Sequence, residues 1–157
     1  MSFSLATLKD ELTRDEGRKR RAYKDSEGIW TVGIGWNLEA NDLPDDVIDR
    51  LFATSVDGAQ RALNALEPRW RELDDDRQLV LLNMAFNLGY HRFSKFVRFW
   101  EAVRGYLLSR DPMHLKDAAD EMLDSLWARQ VKARANRLAD RMLNSPRRHI
   151  AEEYTDC

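Results

Sequence analysis

The sequence contains little cysteine, glycine or proline, and it has no long apolar run. Among its 157 residues there is one cysteine, Cys157, which excludes an intrachain disulfide and a thiolate metal site. No run of about 18 uncharged apolar residues occurs, so no segment is expected to span a membrane. With 25 basic and 27 acidic residues, the net charge of −2 is unlike that of a protein that binds polyanions over its whole surface.

Glycine is concentrated near the N-terminus, and the rest of the chain has helical periodicity. Leu5, Leu8 and Leu12 recur at helical spacing and predict an amphipathic helix over 3–15. The sequence therefore predicts an α+β, mostly α-helical fold. Further helices are expected over 44–66, 75–88, 94–108, 112–123 and 131–144.

Residues 20–36 have the period-two pattern of strands. Ser26-Glu27-Gly28 is a turn sequence, and it predicts a β-hairpin with strands over 21–25 and 29–35. In that hairpin Asp25 pairs with Ile29 and shares a face with Thr31, so one water could bridge the Asp25 carboxylate and the Thr31 hydroxyl. Gly33 and Gly35 would leave an open floor on this face. Trp30 and Trp36 would lie on the other face, where we expect them to form a small core more than to contact a sugar.

Glu16 is the second carboxyl of interest. It follows Leu5 by about three helical turns and is therefore predicted to lie on the apolar stripe of the first helix. Desolvation there, together with the negative end of the helix dipole, would favour the neutral carboxyl. A neutral carboxylic acid facing a carboxylate with a positioned water can cleave a glycosidic bond. Two carboxylates alone are weak evidence in a chain with 27 acidic residues, and it is their combination with Thr31 and the glycines that carries weight.

The segment Glu16-Gly-x5-Tyr23-x-Asp25-x2-Gly-x2-Thr31-x-Gly-x-Gly35 resembles the motif of the phage-type lysozymes, glycoside hydrolase family twenty-four. Weaker similarity continues through Leu51-Phe52, 83–90 and 127–137. The resemblance implies that Glu16 is the general acid, that Asp25 activates or positions water, and that Thr31 holds that water. It also implies substrate contacts at four further positions, namely Tyr23, Gly35, Asn87 and Arg134.

The same resemblance implies a muramidase that hydrolyses the β-1,4 bond between N-acetylmuramic acid and N-acetylglucosamine in peptidoglycan during phage-induced lysis. No cofactor and no metal are expected. The implied two-lobe fold has a small hairpin lobe over about 17–52, a helical lobe over about 1–15 and 67–146, and a connecting helix over about 44–66. We expect a monomer that is made in the bacterial cytoplasm without a signal peptide and acts on the wall in the periplasm, without inserting in membranes or binding nucleic acid.

Three features depart from the family pattern. Trp36 stands where the best-known member has histidine, Asn87 stands where that member has glutamine, and the chain between Gly35 and Leu51 is shorter. The substitution at Trp36 could remove an ion pair or extend an aromatic sugar-stacking surface.

Basic residues are clustered in two segments. Arg18-Lys19-Arg20-Arg21 is one, and the other, over 129–149, has seven basic residues and one acid, Asp140. The cluster is interpreted either as a solvated surface or as a surface that attracts an anionic cell wall. The residues leave three alternative functions open: a lytic transglycosylase that uses Glu16 alone, a non-catalytic peptidoglycan-binding protein, and a nucleic-acid binder.

Overall fold

The computed structural model describes residues 4–145. The basic residues predicted at 147 and 148, His149 and Cys157 lie outside this range. The chain divides into two compact units, Met1–Leu51 and Phe52–Cys157. The observed α+β, mostly helical architecture confirms the predicted fold class, while the boundaries of the lobes stay a prediction.

The first unit contains one helix and a three-stranded antiparallel sheet. Helix α1, Leu5–Glu16, starts at Ser4, whose hydroxyl accepts a hydrogen bond from the Thr7 N–H. The strands are β1 Lys19–Lys24, β2 Trp30–Gly33 and β3 Trp36–Asn37, in the order β1-β2-β3. Tyr23 pairs with Thr31 and Lys24 with Trp30, so the predicted hairpin register is confirmed.

The second predicted strand is shorter than expected, and a third strand follows it. β2 ends at Gly33 rather than continuing to residue 35, and the chain turns through Ile34 and Gly35. Gly35 has a φ of 75°, which residues with a Cβ rarely adopt. The turn returns the chain alongside β2, where Val32 pairs with Trp36. Gly35 therefore borders the sheet instead of continuing the face of Thr31.

The expected burial of the α1 stripe is wrong. Helix α1 buries none of its residues, and Leu5, Leu8 and Leu12 are 73%, 40% and 43% exposed. Glu16 is exposed as well. Periodicity identified the amphipathic helix correctly, but burial also requires a partner surface, which periodicity does not specify.

The long helix α2, Asp45–Leu66, begins in the first unit and continues into the second. The second unit continues with a short 3₁₀ helix, Trp70–Glu72, and five α-helices. The sequence did not predict α6, which has only six residues. The predicted helix end at Gly89 corresponds to a kink within α3, where Gly89 has a non-helical backbone with φ 67°. The five helices are α3 Asp75–Phe93, α4 Val97–Ser109, α5 Met113–Leu123, α6 Leu126–Val131 and α7 Ala133–Leu143.

The core of the second unit lies where α5 packs against both α4 and α7. Phe93, Phe99 and Trp100 form an aromatic cluster, and the Phe93 and Trp100 rings are 4.7 Å apart between centroids. The Trp100 indole N–H donates to the Phe93 carbonyl at 2.9 Å, so this buried polar group is satisfied. Burial of Trp100 and Trp127, at 2% and 3% exposure, confirms that both are core residues.

Arg77 joins the start of α3 to the end of α7. Its Nε donates to the Met142 carbonyl at 2.8 Å and its Nη2 to the Leu143 carbonyl at 3.1 Å, which satisfies acceptors that a helix C-terminus leaves open. Its Nη1 pairs with Asp74, whose carboxylate also caps α3 by accepting from the Arg77 N–H at 3.1 Å. Burial would raise the pKa of Asp74, but the hydrogen bonds from Arg77 and Ser145 outweigh it and hold this pKa below its ordinary value.

We predict that Asp74→Asn lowers the free energy of unfolding at pH 7 by about 1–2 kcal/mol, because it retains a capping oxygen but removes the charge that pairs with Arg77. The lowered pKa means that the stabilisation is present above the unfolded-state pKa of about 4 and is lost as the pH falls through the folded-state pKa. Urea denaturation from pH 7 to pH 2 measures it. Asp75→Asn is the control, since Asp75 has the same charge without this pairing, and equal effects of the two substitutions would contradict the assignment.

Candidate functional site

The Asp25 carboxylate is fixed by the turn that it begins. Its Oδ1 accepts hydrogen bonds from the Glu27 N–H at 2.9 Å and the Ile29 N–H at 3.0 Å. The Asp25 N–H donates to the Ile29 carbonyl at 3.0 Å, so the predicted pairing of these two residues is confirmed. Oδ2 has no hydrogen-bond partner within residues 4–145 and is available to a water or a ligand.

In the register of the hairpin, Thr31 is a diagonal neighbour of Asp25 on the same face. It pairs directly with Tyr23, two residues before Asp25 on the neighbouring strand. Thr31 is 4% exposed, and its hydroxyl donates to the Ile29 carbonyl at 3.3 Å. Because that bond uses the only hydroxyl proton, the lone pairs of Oγ1 remain free to accept.

Glu16 ends α1 beside Gly35. A Cβ at Gly35 would lie 3.9 Å from Glu16 Oε2, so glycine at this position leaves space against the carboxyl. The structure thus brings the α1 terminus to the turn that follows β2. The five predicted residues Glu16, Tyr23, Asp25, Thr31 and Gly35 all belong to the first unit.

Asn87 and Arg134, the other two predicted contacts, belong to the second unit and have structural partners there. Asn87 Oδ1 accepts from the Trp127 indole N–H at 2.8 Å. Arg134 donates from Nε to Asn83 Oδ1 at 2.9 Å and from Nη2 to the same oxygen at 2.6 Å. The site prediction missed Asn83, although its spacing of four residues from Asn87 places both amides on one face of α3.

Within the described chain, no group of three or more histidine, cysteine or carboxylate side chains is arranged to hold a metal ion. Over the same residues, no helix combines the length and apolar character needed to cross a membrane.

We predict that Asn87→Ala lowers the free energy of unfolding by about 1–3 kcal/mol, since it leaves the buried Trp127 N–H without an acceptor. Asn87→Asp keeps an oxygen at the same place and is the matched control, with an expected change of less than about 1 kcal/mol. Urea denaturation monitored by far-ultraviolet circular dichroism measures both. An equal loss in the two variants would show that the Asn87 oxygen does not support Trp127.

Comparison with known proteins gives a consistent result. The family model described as phage lysozyme matches residues 13–141, which include all seven predicted site residues. Two relatives from Dictyostelium discoideum, probable T4-type lysozymes 2 and 1, are 26% and 24% identical over 163 aligned positions, covering 85% of this chain and 92% of each relative. The pre-baseplate central spike protein Gp5 of Enterobacteria phage T4 is 27% identical over 84% of this chain, which corresponds to 27% of that protein.

The match extends from the end of α1 through α7 and contains both the hairpin with Asp25 and Thr31 and the helices with Asn87 and Arg134. On this evidence the chain belongs to the phage lysozyme family, glycoside hydrolase family twenty-four, and is a lysozyme-like hydrolase of peptidoglycan.

Proposed function

We propose that the chain is a muramidase that hydrolyses the β-1,4 bond between N-acetylmuramic acid and N-acetylglucosamine. The observation that carries this proposal is the Asp25 carboxylate, which is held through Oδ1 by two backbone N–H groups and whose diagonal neighbour in the hairpin register is Thr31. A carboxylate fixed in this way is preorganised to orient a reacting water. Family membership and the names of the Dictyostelium relatives support the same activity.

The hydrogen bonds of the hairpin specify how that water would be oriented. The Thr31 hydroxyl donates its hydrogen bond to the Ile29 carbonyl, so its oxygen Oγ1 would accept a hydrogen bond from the water. Asp25 Oδ2 accepts the second proton of the same water. With both protons directed at the protein, a lone pair of the water oxygen points away from the sheet towards the anomeric carbon of a bound sugar.

In this reaction Glu16 would be the proton donor and Asp25 the proton acceptor. Glu16 protonates the glycosidic oxygen as the bond to the anomeric carbon breaks, the water attacks that carbon, and Asp25 takes the proton that the water releases. By family resemblance the anomeric configuration inverts. Because Glu16 is exposed in the protein alone, we propose that the bound glycan excludes water from this carboxyl and so supplies the desolvation that the fold does not.

Four residues are proposed to contact the substrate. Tyr23 lies beside Thr31 on the hairpin face, and Gly35 leaves room next to Glu16. In the second unit, Asn87 Nδ2 and Arg134 Nη1 have no hydrogen-bond partner in the part of the chain that the structure describes. Hydrogen bonds anchor Asn87 through Oδ1 and Arg134 through Nε, so the remaining donors are held in fixed positions. There they could bind the polar groups of a glycan.

We further propose that the biological role is phage-induced lysis by a monomer. The protein would be made in the host cytoplasm, would reach the wall in the periplasm, and would not bind nucleic acid.

The catalytic test is muropeptide analysis of digested peptidoglycan. We expect Glu16→Gln and Asp25→Asn each to lower turnover by at least 10²-fold, because each removes one proton-transfer group. Asparagine at residue 25 can still accept from the Glu27 and Ile29 N–H groups, so the hairpin should persist. Thr31→Ala should lose less, since water can still enter, and Glu27→Gln, at an exposed carboxyl in the same turn, is the control that should retain activity.

The muropeptide products distinguish the proposed hydrolysis from the alternative functions. Muropeptides with 1,6-anhydro ends, formed equally well by Asp25→Asn, would indicate a lytic transglycosylase. Binding to the wall without any product would indicate a non-catalytic protein, and full lysis by Glu16→Gln would refute the assignment of the acid.

The basic surface of α6 and α7 generates a separate prediction. Arg129, Lys132 and Arg137 are exposed and have no acidic partner within residues 4–145. Lysis of intact walls should therefore fall steeply with added salt, because the Debye length shrinks from about 10 Å at 0.1 M to about 3 Å at 1 M. The double substitution Arg129→Gln and Arg137→Gln should lower activity at low salt about 3-fold and flatten the salt profile.

The control for this prediction is Lys116→Gln, which removes the charge of an exposed lysine already paired with Asp120 at 2.5 Å on α5. Turbidity assays at increasing sodium chloride concentration compare the variants. A profile that is flat for the wild type would exclude attraction between this surface and the wall.

A further inference from the structure

The sheet has a second face that the proposed chemistry does not use. Neighbouring residues of β2 alternate between the two faces, so Trp30 and Val32 lie on the side opposite Thr31. Trp36 pairs with Val32 across the adjacent strand and therefore shares their face. We call the four residues Lys24, Trp30, Val32 and Trp36 the aromatic face.

The two tryptophans of this face are not core residues, contrary to the sequence prediction. Trp30 is 46% and Trp36 is 39% exposed, whereas the other three tryptophans of the chain are 2–3% exposed. The core interpretation assumed a covering element. The shorter connection after Gly35 contains only β3 and irregular chain before α2, and it leaves both indoles exposed. Two half-exposed indoles on one face of a three-stranded sheet, beside a cation, form an exposed aromatic surface that could bind a ligand.

Positive charge borders the same face. Lys24 pairs with Trp30 across the strands, and its Nζ lies 5.5 Å from the centroid of the Trp30 ring. Lys24 is exposed and has no acidic partner over residues 4–145. The nearby acid is Glu39, whose Oε1 accepts from the Trp30 N–H at 3.0 Å and is thereby held by the backbone.

We propose that the aromatic face binds a second stretch of peptidoglycan, distinct from the glycan undergoing cleavage. The apolar faces of pyranose rings would stack on the two indoles, and a carboxylate of the stem peptides would pair with Lys24. The identity of this polymer rests on the proposed function. Because the aromatic face is opposite Asp25 and Thr31, the bound strand cannot be the one that reacts, and its role is to retain the enzyme on the wall between cleavages.

The alternative of an anionic membrane fits the geometry less well. Inserting tryptophan into lipid requires a protruding apolar element, but each of these indoles has more than half of its surface covered and lies on a flat sheet. Flat, half-exposed rings beside a cation instead match a ligand with flat apolar rings and separate anionic groups.

The test uses the Glu16→Gln background, in which the wall is not digested. Sedimentation with purified insoluble peptidoglycan measures retention, and acrylamide quenching of tryptophan fluorescence measures access to the indoles. Since Trp70, Trp100 and Trp127 are buried, quenching reports mainly on Trp30 and Trp36. We expect peptidoglycan to protect this fluorescence from acrylamide, and we expect Trp30→Leu with Trp36→Leu to weaken retention at least 10-fold.

Lys24→Glu, which leaves both indoles in place, should weaken retention several-fold, and Lys9→Glu on α1 is its matched control. If circular dichroism shows that the double tryptophan variant does not fold, two measurements still test whether the aromatic face binds peptidoglycan. These are the comparison of Lys24→Glu with Lys9→Glu and the quenching experiment on the protein with both tryptophans. Three results would each overturn the proposal. Lys24→Glu could leave retention unchanged, or peptidoglycan could fail to protect the tryptophan fluorescence from acrylamide. The third is protection by anionic phosphatidylglycerol vesicles in place of peptidoglycan. These outcomes are independent of the catalytic assignment, which is tested by the muropeptide products of the wild type, Glu16→Gln and Asp25→Asn.

Discussion

The hydrogen bonds that Asp25 Oδ1 accepts from the Glu27 and Ile29 N–H groups constrain the hairpin of the first unit. They close the turn, and the turn sets the register in which Tyr23 meets Thr31 and Lys24 meets Trp30. A shift of one residue would exchange the two faces of the sheet. The same bonds hold the carboxylate still, so one side chain both specifies the hairpin and provides the group proposed to position water.

In the second unit, the two polar side chains that are proposed to contact the substrate also have structural partners. Asn87 holds the indole of Trp127 and Arg134 is held by Asn83, so each presents its remaining donor from a fixed position. Arg77, which joins the start of α3 to the end of α7, supports the same two helices that carry these residues. Rigidity of this kind favours precise placement of the donors, because a fixed side chain loses less conformational entropy when it binds.

The alternation of the strands separates two proposed activities on one small sheet. Thr31 and Asp25 occupy one face with the means to orient water, while Trp30 and Trp36 occupy the other with surface suited to sugar rings. Each face can therefore contact a different strand of the wall without competition. The sequence predicted this division into faces correctly, but it assigned the tryptophans to a core that the structure does not form.

The sequence by itself determined the features that arise from local hydrogen bonding and periodicity. These include the start of α3 at residue 75, the turn at Asp25 and the pairing of that residue with Ile29. Only the tertiary structure decided that Glu16 and the leucines of α1 are exposed, that a third strand follows Gly35, and that Asn87 supports Trp127. The physical reason is that caps and turns are completed within a few residues, whereas burial and side-chain partnership depend on surfaces contributed by distant parts of the chain.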